Sequence, residues 1–219
     1  MKGYRTKRET IYETLKQEIY EGKYKFGEKL IISRLAKRFE SSEIPVREAI
    51  NQLSSEGLVD IEPHVGAVVS PLSSKDIQNI FDMRIVLEAL ATRLATEHFT
   101  PEDFQEIRTI MDQSIEAFQQ KDYGLITNLN FQFHMHIYSK CDNELLVKTI
   151  RDLWMNTNRY PSLFERNDEH IRLSLEEHEA IYKALLDRDG VLAETITLKH
   201  KARAYREILR LAQRNYYNV

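Results

Sequence analysis

The apolar positions between residues 30 and 69 change their period partway along the segment. Apolar side chains first recur at steps of three and four, which predicts two short helices joined by a tight turn. They are Leu30, Leu35, Ala36 and Phe39 in the first helix, then Val46, Ala49, Ile50 and Leu53 in the second. Two short apolar runs, Leu58–Ile61 and Ala67–Val69, then flank a tip that contains Pro63 and Gly66, which predicts a two-stranded wing. Helix, turn, helix and wing is an arrangement that reads DNA, with the second helix in the major groove.

The second helix carries its own start signals. Ser41 and Ser42 can cap it, and Pro45 lies in the first turn, where a missing N–H is tolerated. Burial of its apolar stripe leaves polar groups facing outward, where they can reach phosphates and base edges. The residues predicted to contact DNA are Arg34, Arg38, Ser42, Glu43, Arg47, Asn51, His64 and Gly66.

Charge supports this prediction only locally. The whole chain carries 31 basic and 34 acidic residues, a net charge of −3. Residues 1–38 hold eleven Lys or Arg against five Glu, whereas residues 39–72 hold only Arg47 against six acidic residues. The predicted basic face therefore flanks the second helix, where it contacts phosphates and sets affinity rather than sequence preference; the alternative is a solvated helix face. Its members are Lys2, Arg5, Lys7, Arg8, Arg34, Lys37 and Arg38.

From residue 73 onward the apolar positions keep a helical period, and no alternating strand pattern follows Val69. The predicted helices have apolar stripes from Ile77 to Leu94 and from Phe104 to Phe118, followed by Tyr123–Lys140, Asn143–Tyr160, Ser174–Asp187 and Gly190–Arg214. The predicted fold is therefore mainly α, with an N-terminal winged helix-turn-helix and a C-terminal all-helical antiparallel bundle of about six helices. Polar sites are commonly built in the interior of such bundles.

Length and composition set the remaining bounds. A chain of 219 residues suits two domains, predicted at 1–72 and 73–219 with a boundary at Ser70–Ser74. The lone Cys141 excludes an internal disulfide and fits a reducing cytosol. With no signal peptide and no twenty-residue apolar run, we expect a cytoplasmic protein without a membrane span.

Three stretches, Gly22–Leu30, Pro45–Ala49 and Gln52–Val59, resemble in order the winged helix-turn-helix of the GntR family of bacterial regulators. The resemblance covers residues 7–72 and implies a transcription regulator that binds operator DNA. The family usually shows VSRTPVREAL at the turn, whereas this chain has SSEIPVREAI, so Glu43 stands where an arginine is usual. A carboxylate there either repels phosphate or accepts a hydrogen bond from a cytosine amino group.

Residues 73 to about 212 resemble the all-helical ligand domain called FCD, found in the FadR subgroup of GntR regulators. The matching stretches are Arg84–Glu88, Asn130–His134, Glu177–Ile181 and Asp187–Asp189. The resemblance implies a divalent metal bound by a carboxylate or amide at the position of Asn130 and by three histidines.

The residues themselves also indicate a metal site. His134, His178 and His200 lie on predicted inward helix faces. One such histidine is more often a hydrogen-bonded core group, but three can converge on one ion, since imidazole is the commonest ligand for zinc-like metals. Asn130, one turn before His134, is predicted as a weak fourth ligand. Zinc is the first expectation, with nickel or manganese as alternatives. The remaining histidines of this region are predicted on another face or at the surface: His98, His136 and His170.

The charge of this predicted site indicates its ligand. Three neutral imidazoles and a neutral amide leave the charge of a divalent ion uncompensated, which favours an anion, most simply a small carboxylate metabolite. Arg84 is predicted to clamp that carboxylate, or alternatively to form a salt bridge with Glu88. Asn156 and Arg159 are further candidates for lining the effector pocket.

Two functions of different class are open. The first is a homodimeric regulator that binds a two-fold-related operator and senses a carboxylate through the metal. The second is a metal-dependent hydrolase, whose general base would be Glu177 or Glu179, although each points about 100° away from His178 on an ideal helix. We favour the regulator. In a third interpretation the metal is itself the signal or a structural clamp.

Overall fold

The computed structural model describes residues 6–70, 74–157, 164 and 167–216. This part of the chain contains nine helices and two strands. Their bounds are α1 (Lys7–Tyr20), α2 (Ile32–Arg38), α3 (Glu43–Ser55), β1 (Val59–Glu62), β2 (Gly66–Val69), α4 (Ser74–Ala95), α5 (Pro101–Gln120), α6 (Tyr123–Tyr138), α7 (Glu144–Thr157), α8 (Asp168–Leu186) and α9 (Gly190–Tyr216). The chain forms two compact units, Met1–Ser73 with Met155–Tyr160 and Ser74–Trp154 with Pro161–Val219. The prediction of a mainly helical fold with an N-terminal winged helix-turn-helix is confirmed.

The first unit is built around the packing of α1 against α3. A capping box starts α1, because the Thr6 hydroxyl accepts the Glu9 N–H while the Glu9 carboxylate accepts the Thr6 N–H. Apolar side chains from the three helices and the wing then form one core. Its fully or nearly fully buried members include Ile11, Leu15, Ile19, Leu35, Val46, Ala49, Ile50, Leu53, Val59 and Val69.

The wing is an antiparallel pair in which Val59 lies opposite Val69 and Glu62 opposite Gly66. Leu30, predicted in the first helix, instead precedes it, since α2 begins at Ile32. The Leu30 N–H donates to the carbonyl of Ala67 at 2.8 Å, and its side chain is buried. Extended backbone beside β2 therefore satisfies this N–H without a helix.

The recognition helix α3 starts as the serine and proline signals predict. Ser42 is the N-cap residue and has extended backbone, although its hydroxyl makes no capping hydrogen bond. Pro45 lies in the first turn, and the apolar stripe faces the core. Gly57, with φ of 70°, reverses the chain after the helix toward β1.

The second unit is a bundle of α4 to α9. Helix α4 packs against α6 and α9, α5 packs against α6 and α8, and α8 packs against α9. The largest fully buried side chains described in this unit are Ile77, Phe81, Ile107, Phe133, Ile137, Tyr138 and Ile150. No described helix offers an apolar stretch of the length and hydropathy that a bilayer requires.

The start of one bundle helix differs from prediction by several residues, and the end of another cannot be compared. Helix α8 begins at Asp168 rather than Ser174, because the Asn167 side chain caps it by accepting the N–H of His170 at 3.1 Å. Helix α7 is described to Thr157, and the last three residues of the predicted helix, 158–160, lie outside the described residues.

Candidate functional site

Three helices of the second unit bring three histidines together. His134 comes from α6, His178 from α8 and His200 from α9, and they are 1%, 4% and 3% exposed. The Nε2 atom of His134 lies 3.1 Å from Nε2 of His200 and 3.2 Å from Nε2 of His178. One nitrogen from each ring lies within 4.8 Å of the other two. This separation suits three ligands of a single ion.

The apolar packing of the bundle carries these imidazoles inward. His134 follows Phe133 directly and lies one turn before Tyr138, and all three side chains are buried. The Phe133 ring stacks on His178 with their centroids 4.0 Å apart. The histidines therefore occupy core positions of amphipathic helices and need no special backbone.

A hydrogen-bond chain orients His134. The Tyr138 hydroxyl donates to Glu88 Oε2 at 2.6 Å, so its oxygen accepts from Nδ1 of His134, 3.2 Å away. The proton of the neutral His134 ring therefore lies on Nδ1, and Nε2 carries a lone pair.

A carboxylate orients His200 in the same way. Nδ1 of His200 donates to Glu177 Oε2 at 2.5 Å, which again leaves a lone pair on Nε2. Arg203 holds the Glu177 carboxylate with two nitrogens, at 2.8 and 2.6 Å, and also donates to His170 Nδ1 and to the Ser174 hydroxyl.

The pKa values of the three histidines indicate that the rings are neutral. Burial lowers the pKa of His134 and of His178 well below the usual histidine value. Burial also lowers the pKa of His200 to about 4, although its hydrogen bond to Glu177 opposes the shift. The Nε2 lone pairs of His134 and His200 thus face each other with no hydrogen to share. A cation between them would remove this repulsion, so the donor set fits a zinc-like ion.

Glu88 is the charged centre beside this site. It is fully buried, and Arg84 and Lys201 donate to it at 2.6 and 2.9 Å. Burial raises the pKa of Glu88, but the charges of Arg84 and Lys201 outweigh it and bring the pKa to about 2. Burial in turn lowers the pKa of Lys201 to about 8. With Glu177 and Arg203, two carboxylates and three cations surround the histidines.

Of the residues predicted to bind the effector, Arg84 forms the alternative contact, the salt bridge with Glu88. Its guanidinium also lies 4.1 Å from the centroid of the Trp154 ring. Asn156 is half-buried near the end of α7 and is grouped with the first unit. Arg159 lies outside the described residues.

Asn130 is half-buried one turn before His134 on α6. It lines a small pocket together with Ser114, Ser174 and His178. This places the Asn130 amide near one of the three histidines, and its role as a fourth ligand stays a prediction.

The prediction that His170 lies on another face or at the surface is wrong, and the sequence did not indicate that Glu177 contacts His200. His170 is 4% exposed rather than a surface group, because α8 starts before it and turns it toward Arg203. Glu177 does point away from His178, but toward His200 on α9. His136 lies away from the three histidines, with its Nε2 atom 3.7 Å from Asp103.

The predicted DNA surface lies on α2, α3 and the wing of the first unit. All eight predicted members are exposed, as a DNA contact requires: Arg34, Arg38, Ser42, Glu43, Arg47, Asn51, His64 and Gly66. His64 and Gly66 have positive φ angles, of 63° and 101°, at the wing tip. Arg47 donates to Glu43 one turn earlier, at 2.8 Å.

Arg38, predicted to contact DNA as part of a basic run, also forms contacts within the first unit. Its guanidinium donates to both oxygens of Glu18 and to the hydroxyl of Tyr24. This fork ties the end of α2 to α1, so the charge of Arg38 is partly neutralised within the unit.

A winged helix-turn-helix with an exposed recognition helix, joined to a helical unit with a buried polar site, defines the class of DNA-binding transcription regulators. Residues 7–69 match the model described as bacterial regulatory proteins, gntR family, and residues 79–203 match the FCD domain. The chain belongs to the GntR family and carries an FCD domain.

Similar proteins agree with this membership. The HTH-type transcriptional regulator LutR of Bacillus subtilis is 31% identical over 206 residues, covering 83% of this chain and 92% of LutR. The HTH-type transcriptional regulator McbR of Escherichia coli is 29% identical over 181 residues, covering 82% of each chain. The solved structure of E. coli McbR/YncC matches with a TM-score of 0.73 and 24% identity, covering 97% of this chain and 100% of that one. The chain is therefore a transcription regulator of this family, and none of these similar proteins supports the hydrolase alternative.

The exposed arginines of α2 and α3 generate a first prediction. Arg47→Ala should weaken binding to an operator selected from random duplexes by about 1–3 kcal/mol, concentrated at one base pair, if Arg47 reads guanine. Arg34→Ala should weaken binding to all sequences and reduce the salt dependence. Gel-shift titrations measure both, with Arg172→Ala on α8 as a control for loss of an exposed charge. Unchanged affinity in both test variants would remove these assignments.

Glu88 generates a second prediction. Glu88→Gln leaves Arg84 and Lys201 buried without their counter-charge, so the free energy of unfolding should fall by about 3–5 kcal/mol. Glu176→Gln, which removes the exposed partner of Arg172, is the control and should lower the free energy of unfolding by less than about 1 kcal/mol. Urea titrations compare the two variants with the parent protein.

The contribution of Glu88 to the free energy of unfolding should decrease as the pH falls. The folded-state pKa of Glu88, about 2, lies below its ordinary value of 4.5. Its stabilisation is therefore complete above pH 4.5 and is lost as the pH falls toward 2. The difference in unfolding free energy between parent and Glu88→Gln should narrow across that window; a difference independent of pH would contradict the assignment.

Proposed function

We propose that the helical unit of this GntR-family regulator binds one divalent metal ion through His134, His178 and His200. A small carboxylate metabolite completes the coordination of that metal and changes the affinity of a homodimer for operator DNA. Zinc is the first candidate for the ion, with nickel and manganese as alternatives. The observation that carries the proposal is the pair of Nε2 lone pairs of His134 and His200, which face each other at 3.1 Å.

The charges around the histidines support an anionic effector. When bound, the ion supplies a positive charge with open coordination positions. Neither the imidazoles nor the Asn130 amide compensates that charge. The nearby ionised side chains add a surplus of positive charge: Arg84, Lys201 and Arg203 against Glu88 and Glu177. A carboxylate can both bind a metal and pair with arginine or lysine.

A face of α4 supports the homodimer. Met83, Val86 and Leu94 lie within about 80° of one another on an ideal helix, and they are 50%, 60% and 36% exposed. An exposed apolar stripe of this kind marks a protein–protein contact. Two copies related by a two-fold axis would present two α3 helices to a two-fold-related operator in the cytoplasm.

Effector binding can change operator affinity only through linkage. A carboxylate that binds two arrangements of the dimer with different affinities shifts the dimer toward the tighter one, and DNA does the same from the other site. The sign of the coupling decides whether the effector releases the operator or favours its binding.

The three histidines generate a prediction about metal content. Alanine in place of any one of them should lower the metal content of purified protein and its melting temperature, because the ion links three helices that are distant in sequence. Elemental analysis and thermal scans measure the two effects. Trp154, the chain's one tryptophan, lies 6.0 Å from His134 between ring centroids, so nickel titration should also quench its fluorescence.

His136→Ala is the matched control, because this histidine lies on the same helix and faces Asp103. It should leave metal content and nickel quenching unchanged. Protein purified without chelator that contains no metal, and that shows no thermal shift with zinc, nickel or manganese, would defeat the metal site. The histidines would then be polar groups lining a pocket.

The effector generates a separate prediction. Small carboxylates, tested as a panel, should raise the melting temperature of zinc-loaded protein and leave metal-free protein unchanged. Asn130→Asp should bind zinc more tightly through its added charge and bind the same carboxylates more weakly. Equal shifts with and without zinc would contradict effector binding through the metal, while leaving the metal site itself intact.

A further inference from the structure

The start of α3 exposes a set of side chains that the core of the first unit does not use. The side chains of Glu43 and Arg47 are 48% and 59% exposed. Ile44, between them in sequence, is 68% exposed and is the most exposed large apolar residue described in the first unit. The opposite face of the helix is buried, so these three residues form its outer edge. The N-terminal residues of a recognition helix are those that reach base edges.

Glu43 and Arg47 act as a pair. Arg47 Nη2 donates to Glu43 Oε2 at 2.8 Å across one turn, which engages one of the five guanidinium N–H donors and leaves others for a base. Such an exposed pair contributes little to folding. Arg47 is also the one basic residue among residues 39–72, which carry six acidic ones. A cation already paired with a carboxylate attracts phosphate weakly, so the contribution of Arg47 to DNA binding depends on direct contact with a base.

Ile44 offers a different contact. An exposed isoleucine side chain cannot form hydrogen bonds with water or with phosphate oxygens. In the major groove the apolar feature of a base pair is the C5 methyl group of thymine. The cleft beside Glu43 and Arg47 is bordered by the apolar residues Ile31 and Val65 and by Lys29.

We propose that Glu43, Ile44 and Arg47 form one base-reading unit for a short DNA step that contains a G·C pair and a neighbouring thymine. Arg47 donates to guanine O6 and N7, Glu43 accepts from a cytosine amino group, and Ile44 packs on the thymine methyl. The inference rests on DNA binding by α3 and is independent of the metal and effector.

The thymine contact is tested with the full chain and modified DNA. An operator is first selected from random duplexes, and each thymine is then replaced by uracil, which removes only the methyl group. We expect one position where this change weakens binding about fourfold, the value of one buried methyl group. Ile44→Ala should weaken binding to the thymine operator by a similar factor and be insensitive to uracil at that position. Val191→Ala, equally exposed at the start of α9, is the control.

The cytosine contact is tested by two variants with the same change in charge. Glu43→Gln should reduce the preference for cytosine at one position about tenfold and bind random DNA more tightly. Glu48→Gln, which removes an exposed carboxylate from the same helix, should increase the affinity for random DNA without changing any base preference. Melting temperatures of all variants distinguish base reading from a purely structural role of the Glu43–Arg47 pair. If the pair were only structural, Glu43→Gln would lower the melting temperature and leave the base preference unchanged.

Three results would overturn the proposal. The first is a selection that returns no preferred sequence. The second is a uracil penalty that is the same for the parent protein and for Ile44→Ala at every thymine. The third is identical base preference in Glu43→Gln and Glu48→Gln.

Discussion

The buried carboxylate of Glu88 is the interaction on which the polar centre of the bundle depends. A carboxylate without solvent is stable only when its oxygens are fully engaged, and here donors from α4, α6 and α9 engage them. One of these donors is the Tyr138 hydroxyl. Because that hydroxyl is committed to Glu88, its oxygen can only accept from His134. A charge in the core thus determines which nitrogen of a neighbouring ring is protonated.

Glu177 provides the equivalent constraint on the other side of the site. Arg203 holds its carboxylate in a fork, and the carboxylate holds Nδ1 of His200. His178 is positioned by a different force, the stacking of its ring on Phe133. Two imidazoles are therefore oriented by anions and the third by packing. All three histidines lie within the described helices α6, α8 and α9.

Much of this was predictable from helical period alone. His134, His178 and His200 lie among apolar residues at helical spacing, and a residue on such a face turns inward whatever its neighbours are. The pair of Glu43 and Arg47 also follows from spacing, since residues four apart meet on one side of a helix. These features are local, so a single sequence contains enough information for them.

The features that escaped prediction depend on contacts between segments. The role of Glu177 required the register of α8 against α9, and the burial of His170 required the Asn167 cap, which starts α8 earlier than its apolar run. Arg38 belonged to a basic run, but its partner Glu18 lies twenty residues earlier on another helix. Charge counting along the chain could not separate cations held within the fold from cations facing DNA.

The depth of the histidines also has a kinetic consequence. With all three rings no more than 4% exposed, any ion or small ligand that binds there would reach the Nε2 atoms through local opening of the surrounding helices. Both would then bind no faster than that opening, whatever their equilibrium affinities, so the time to reach equilibrium reports the motion of the bundle.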